Sequence, residues 1–96
     1  MNDVAVENKV EKKFEIEIVY NGVDKEIKVE QDETVKQVLD RAIQVFSVTQ
    51  QPHLLALYTV GGQELTNESQ TVKQAGIRPH DKLLLRPSAV KGGTKH

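Results

Sequence analysis

Cysteine is absent from this 96-residue chain. No disulfide, thiolate nucleophile or thiolate metal site can therefore be built from it. Long apolar runs are absent too. Nothing approaches the roughly 20 residues that a membrane-spanning helix requires, and the N-terminus lacks a signal-peptide core. A cytoplasmic location without a membrane partner is the expectation. Charge of one sign is also missing: the formal net charge is −1, which favours neither nucleic acid nor an acidic membrane surface. His53, His80 and His96 stand apart, none with a second ligand at a recognised metal spacing. No nucleophile is grouped with a base. The chain is expected to have no catalytic residues, no metal and no cofactor of its own.

What is present is unevenly spread. Apolar residues are only 38% of the chain, and residues 1–12 hold just three scattered valines. The last nine residues are small or basic. This predicts a flexible arm over residues 1–12, one folded domain over 13–87 and a flexible tail over 88–96. A domain of that size is only modestly stable, and a monomer is expected.

Residues 13–30 predict a β-hairpin. Phe14, Ile16, Ile18 and Tyr20 alternate with Glu15, Glu17 and Val19, the period of a half-buried strand. Asn21-Gly22 is a strong hairpin signal, since both residues tolerate the positive φ of a type I′ turn. That loop pairs Tyr20 with Val23, Ile16 with Ile27 and Phe14 with Val29, which puts one apolar face on both strands. Lys25 opposite Ile18 is the exception. Thr34, with Gln37 three residues on, is a capping box. Val35, Val38, Leu39, Ala42, Ile43 and Phe46 then form one helical stripe suited to the hairpin face. Residues 54–58 read as a third strand, Gly61-Gly62 as a turn and residues 63–65 as a strand stub. Residues 71–75 predict a helical turn ended by Gly76. Residues 81–86 predict a last strand, with Leu83 and Leu85 inward and Lys82, Leu84 and Arg86 outward. The expected core is Phe14, Ile16, Ile27, Val29, Val38, Leu39, Ile43, Leu65, Ile77, Leu83 and Leu85.

Beyond that strand lie a short spacer, Gly92-Gly93 and then Thr94-Lys95-His96. A Gly-Gly pair is commonly a bare linker. It also suits a chain end that must enter a narrow enzyme channel, because no Cβ hinders the Gly93 carbonyl.

The order hairpin, helix, short strand, stub, helical turn, last strand, Gly-Gly resembles ubiquitin from about residue 13 to residue 93. Glu33-Thr34-Val35 matches the start of its helix, Gln63-Glu64-Leu65 the segment after its glycine turn, and residues 71–85 its final stretch without a gap. The resemblance implies an α+β, ubiquitin-like β-grasp, with a mixed sheet of four to five strands and one crossing helix. The ending Arg86-Pro87-Ser88-Ala89-Val90-Lys91-Gly92-Gly93 looks most like modifiers of bacterial ubiquitin-like conjugation operons. There are departures. Gln63 replaces the lysine most associated with ubiquitin chains, Pro79 replaces another, and the spacer is about one residue longer.

By that resemblance the chain is a modifier precursor with Gly93 as its conjugation site. Gly92, Gly93, Lys91 and Arg86 would serve processing and tail recognition. The implied partners are an activating enzyme that uses ATP and Mg²⁺, a conjugating enzyme, a processing and deconjugating peptidase, and a target protein amine. Leu57, Leu84 and Arg86, with Tyr58 as a further candidate, approximate ubiquitin's docking patch. The alternative is that Leu57 is core and Leu84 an isolated exposed leucine. A non-covalent ubiquitin-like interaction domain and a β-grasp sulfur carrier are the competing functions; the carrier needs its glycines at the terminus.

Overall fold

The computed structural model describes residues 13–91. The expected arm over residues 1–12 and the expected mobility of residues 92–96 lie outside the described residues. Strand β1 (Lys13–Tyr20) and strand β2 (Val23–Glu30) form the hairpin, in the register that the Asn21-Gly22 turn dictates: Phe14 faces Val29, Ile16 faces Ile27 and Tyr20 faces Val23. Both turn residues have positive φ, 52° and 81°. The Lys25 exception has a local solution. Its ammonium lies 5.5 Å from the Phe46 ring centre and donates to the Val45 carbonyl at 3.4 Å, so the stem covers apolar surface while the charge stays accessible.

Helix α1 (Val35–Val45) follows. The Thr34 hydroxyl accepts from the Gln37 N–H at 3.1 Å, and the Gln37 side chain accepts from the Thr34 N–H at 2.9 Å. Each satisfies a backbone donor that the helix start would otherwise leave open. Two more such donors, on Val35 and Lys36, are taken by the carbonyls of Gln70 and Glu68. The loop over residues 66–70 is thereby fixed to the start of the helix.

A 3₁₀ turn (Pro52–Leu54) leads into strand β3 (Leu55–Thr59), and strand β4 (Lys82–Pro87) closes the sheet. The sheet order is β2-β1-β4-β3. β1 and β4 run parallel, β3 and β4 antiparallel. The expected fourth-strand stub is a single bridge between Tyr58 and Glu64. At residues 71–76 a chain reversal repeats the capping-box device, Thr71 and Gln74 exchanging side-chain-to-backbone hydrogen bonds. Gly76, at φ 79°, ends it in the expected left-handed conformation.

The core contains Ile16, Ile27, Val29, Val38, Leu39, Leu65, Ile77, Leu83 and Leu85, as expected. Phe14 and Ile43 differ, being only partly buried at its margin. The core also takes in residues absent from the expected set. Ile18, Val35, Leu57 and Val72 are completely buried. Ile18 is buried despite facing Lys25, because β4 lies on its other side and pairs it with Leu83. Arg41 ties the helix to the hairpin. Its guanidinium donates to both Glu33 carboxylate oxygens and, at 2.6 Å, to the Lys28 carbonyl.

Candidate functional site

The sheet face turned away from α1 is set by the phase of β4. Leu83 and Leu85 point into the core, so Lys82, Leu84 and Arg86 point out. Directly paired residues share a face. Val19 of β1 and Tyr58 of β3 both pair with Leu84. The three side chains form a row across the sheet, each half-buried. Along β4, Lys82 flanks the row on one side, within 3.8 Å of Glu17 and 3.9 Å of Asp24. Arg86 flanks it on the other and is exposed.

Leu57 does not belong to this row. It pairs with Leu85, a core residue, and is itself completely buried. The expected patch of Leu57, Leu84 and Arg86 is therefore corrected: Leu84 and Arg86 lie on the outer face, and Tyr58 rather than Leu57 is the β3 residue beside them. The β3 facing follows from its register against β4, which no local pattern in Leu55–Thr59 encodes. Val19 carried a usable signal, since it alternates with Ile18 and Tyr20 in β1.

The spacer after β4 has a different course from the free tail expected over residues 88–96. The Ser88 N–H donates to the Leu54 carbonyl at 2.7 Å, and the Ser88 hydroxyl donates to Glu64 Oε2 at 2.6 Å. That same hydroxyl accepts from the N–H groups of Val90 and Lys91 at 3.0 and 2.8 Å. The Ala89 N–H is shared between Glu64 Oε1 at 2.9 Å and the Tyr58 hydroxyl at 3.0 Å. Tyr58 has one proton for two acceptors, Glu64 Oε1 at 3.1 Å and the Pro87 carbonyl at 2.9 Å. Lys91 donates to the Leu55 carbonyl at 2.8 Å and pairs with Glu68 at 2.7 Å. Lys91 is thus held against the body, whereas Arg86 is exposed. Gly92 and Gly93 lie outside the described residues.

These contacts set the local protonation. Burial alone would raise the Glu64 carboxyl. The donors on Ser88, Ala89 and Tyr58, with the Lys91 charge, outweigh it and hold the group below the usual carboxylate range. Burial and the hydrogen bond to Glu64 push the Tyr58 phenol up. Among the described residues no group of three or more His, Asp and Glu side chains could hold a metal ion, and no helix is long and apolar enough to cross a membrane.

This architecture, one helix across a four-stranded mixed sheet with parallel first and last strands, is the ubiquitin-like β-grasp. Solved structures with the same fold include a protein designed on the basis of ubiquitin, at 24% identity and TM-score 0.70, covering 86% of this chain and 98% of that one. The ubiquitin of Caldiarchaeum subterraneum matches at 24% identity and TM-score 0.67, covering 83% of this chain and 99% of that one. The ubiquitin-like domain of an Arabidopsis thaliana protein matches at 18% identity and TM-score 0.68, covering 82% and 81%. No protein-family profile matches the chain, and neither does any curated protein.

Proposed function

We propose that the chain is a ubiquitin-like modifier precursor, of the kind that accompanies its own enzymes in bacterial conjugation operons. The observation that carries this reading is a β-grasp body whose last strand leads, through a short spacer, into Gly92-Gly93 with further residues behind it. Activation needs a free carboxylate on the last glycine, and in this chain that carbon is locked in the Gly93-Thr94 amide. A peptidase therefore acts first, adding water across the bond to release Thr94-Lys95-His96. The activating enzyme joins the Gly93 carboxylate to the AMP moiety of ATP and releases pyrophosphate, with Mg²⁺ bound to the nucleotide. A cysteine of that enzyme displaces AMP to give a thioester, which is passed to the conjugating enzyme. A target amine finally displaces the thiol and forms an amide. This chain contributes docking and orientation, and the reacting groups besides its own carboxyl belong to its partners. The Val19–Leu84–Tyr58 row with Arg86 is the face offered to them, in a cytoplasmic setting.

Intact-mass analysis of the chain, mixed with the peptidase and enzymes of its own gene neighbourhood, tests the reading. The expected sequence is loss of residues 94–96, then an adduct through Gly93. The form ending at Gly93 should charge the activating enzyme, and the uncut form should not. A chain that stays uncut yet binds those proteins is a non-covalent interaction domain. One that acquires a C-terminal thiocarboxylate is a sulfur carrier.

A further inference from the structure

The spacer does not leave β4 in line with the strand. Ser88 extends the β3–β4 ladder by one hydrogen bond to the Leu54 carbonyl. The chain then turns at Ser88, whose hydroxyl collects the next two free N–H groups, and Lys91 returns to the Leu55 carbonyl on β3. Three side chains hold this turn from the body. Glu64 takes the Ser88 hydroxyl and the Ala89 N–H on its two oxygens, Tyr58 shares the Ala89 N–H, and Glu68 pairs with Lys91. Each holder is itself fixed. Tyr58 lies in β3, Glu64 is bridged to it, and the Glu68 carbonyl accepts from the start of α1. The Glu64 and Glu68 carboxylates and the Lys91 ammonium make these contacts charge-assisted, the stronger kind.

We propose that Tyr58, Glu64 and Glu68 form a clip that folds residues 88–91 back against β3, and that the clip must open before an enzyme can draw Gly92-Gly93 into its channel. The gating part rests on the modifier reading; the clip itself does not. Residues 88–91, if extended, would reach roughly 13 Å beyond Pro87. The turn withholds that reach. Tyr58, Glu64 and Glu68 are then positioning residues for the tail, and conditions or partners that weaken their contacts expose it.

Trypsin cleavage after Lys91 reads the clip directly, because the protease must take the Lys91 side chain into its own pocket. Cleavage after Lys82, inside β4, reports global unfolding in the same intact-mass experiment. Glu64→Gln, Glu68→Gln and Tyr58→Phe should each speed cleavage after Lys91 by about three- to tenfold, as loss of a charge-assisted bond shifts the opening equilibrium. Cleavage after Lys82 should stay at the wild-type rate. Unchanged cleavage after Lys91 in all three variants overturns the clip. Should a variant also speed cleavage after Lys82, amide exchange decides: Ala89 and Lys91 must lose protection by a larger factor than Val38 in α1. Wild-type amides at Ala89 and Lys91 that exchange as fast as free chain also overturn it.

The gate is tested with the same variants and the peptidase from the gene neighbourhood. Cleavage at Gly93-Thr94 should rise in parallel with tryptic cleavage after Lys91. A tryptic increase without a peptidase increase overturns the gate. A peptidase that cuts no form removes the modifier reading and the gate with it, while trypsin and exchange still judge the clip.

Discussion

Leu57 and Leu84 are close in space and chemically identical, yet the sheet register gives them opposite roles. Leu57 is completely buried opposite Leu85, whereas Leu84 is half-buried on the outer face opposite Tyr58. Truncating Leu57 to Ala removes three carbons from a packed site. At about 0.8 kcal/mol for each buried methylene the transfer loss alone is about 2.4 kcal/mol, and the unfilled cavity brings the expected cost to about 3 to 4 kcal/mol. A domain of this size holds only about 4 to 12 kcal/mol in total, so Leu57→Ala should lose a large fraction of it. Leu84→Ala removes the same carbons from a site that already touches water, and should cost about 1 kcal/mol or less. Urea unfolding followed by far-ultraviolet circular dichroism is the suitable assay, since the chain has no tryptophan to report by fluorescence. Equal costs for the two variants would refute the assigned facing of β3. So would a Leu57→Ala cost below about 0.5 kcal/mol, the range of ordinary surface sites.

Three further outcomes test the local structure. Thr34→Ala removes the hydroxyl that accepts from the Gln37 N–H and should cost about 1 kcal/mol in urea unfolding; a neutral change would mean that the loop carbonyls of Gln70 and Glu68 suffice to cap α1. Gly76→Ala places a methyl where nothing lies within 4 Å, so steric crowding is excluded and only the positive φ is penalised, at about 1 kcal/mol. The Glu33 carboxyl is held low by hydrogen bonds from Arg41, aided by the Glu30 N–H and opposed by burial. Because its folded-state value is depressed, its stabilisation is complete above the unfolded carboxylate range near pH 4.3 and is lost as pH falls through the lower folded value. Glu33→Gln should therefore flatten the fall in stability of acid titrations below about pH 5, and a wild-type-like acid profile in that variant would discount the Arg41 contact.

Much of the fold was legible because it is written in short-range patterns. Asn21-Gly22 set the turn, the turn set the hairpin register, and the register placed Phe14, Ile16, Ile27 and Val29 on one face. Thr34 and Gln37 marked the helix start within four residues of sequence. Gly76 marked the end of its turn for a similar local reason. The misplaced and missing features share a different origin. Leu57 faces inward because of a pairing with Leu85, far along the chain, and Ile18 is buried because β4 covers the side of β1 that the hairpin leaves open. The tail contacts are longer-range still. Ser88 meets Glu64 where Glu64 is bridged to Tyr58, and Lys91 meets Glu68 where the loop over residues 66–70 is fixed to the start of α1. Serine, glutamate and lysine in a polar segment read as ordinary solvated surface until the fold brings them together.

Tyr58 is where the outer face and the tail meet. Its ring belongs to the row with Leu84 and Val19, and its hydroxyl belongs to the contacts with Glu64, Pro87 and Ala89. On the proposed function, a partner that covers the row must touch the residue that helps hold the spacer, so docking and release of the tail are coupled through one side chain. Two substitutions separate the roles. Tyr58→Phe keeps the ring and removes the hydroxyl, so affinity for the activating enzyme should not fall below wild type, and should rise where opening of the clip limits binding, while Ala89 loses amide protection. Tyr58→Ala removes both, and should weaken that binding by about tenfold or more, as truncation of a buried aromatic anchor does. Affinity measured by titration calorimetry and exchange measured by nuclear magnetic resonance read the two roles independently. If Tyr58→Phe weakens binding as much as Tyr58→Ala, the hydroxyl rather than the ring makes the partner contact. The row would then have to be redrawn around Leu84 and Val19 alone.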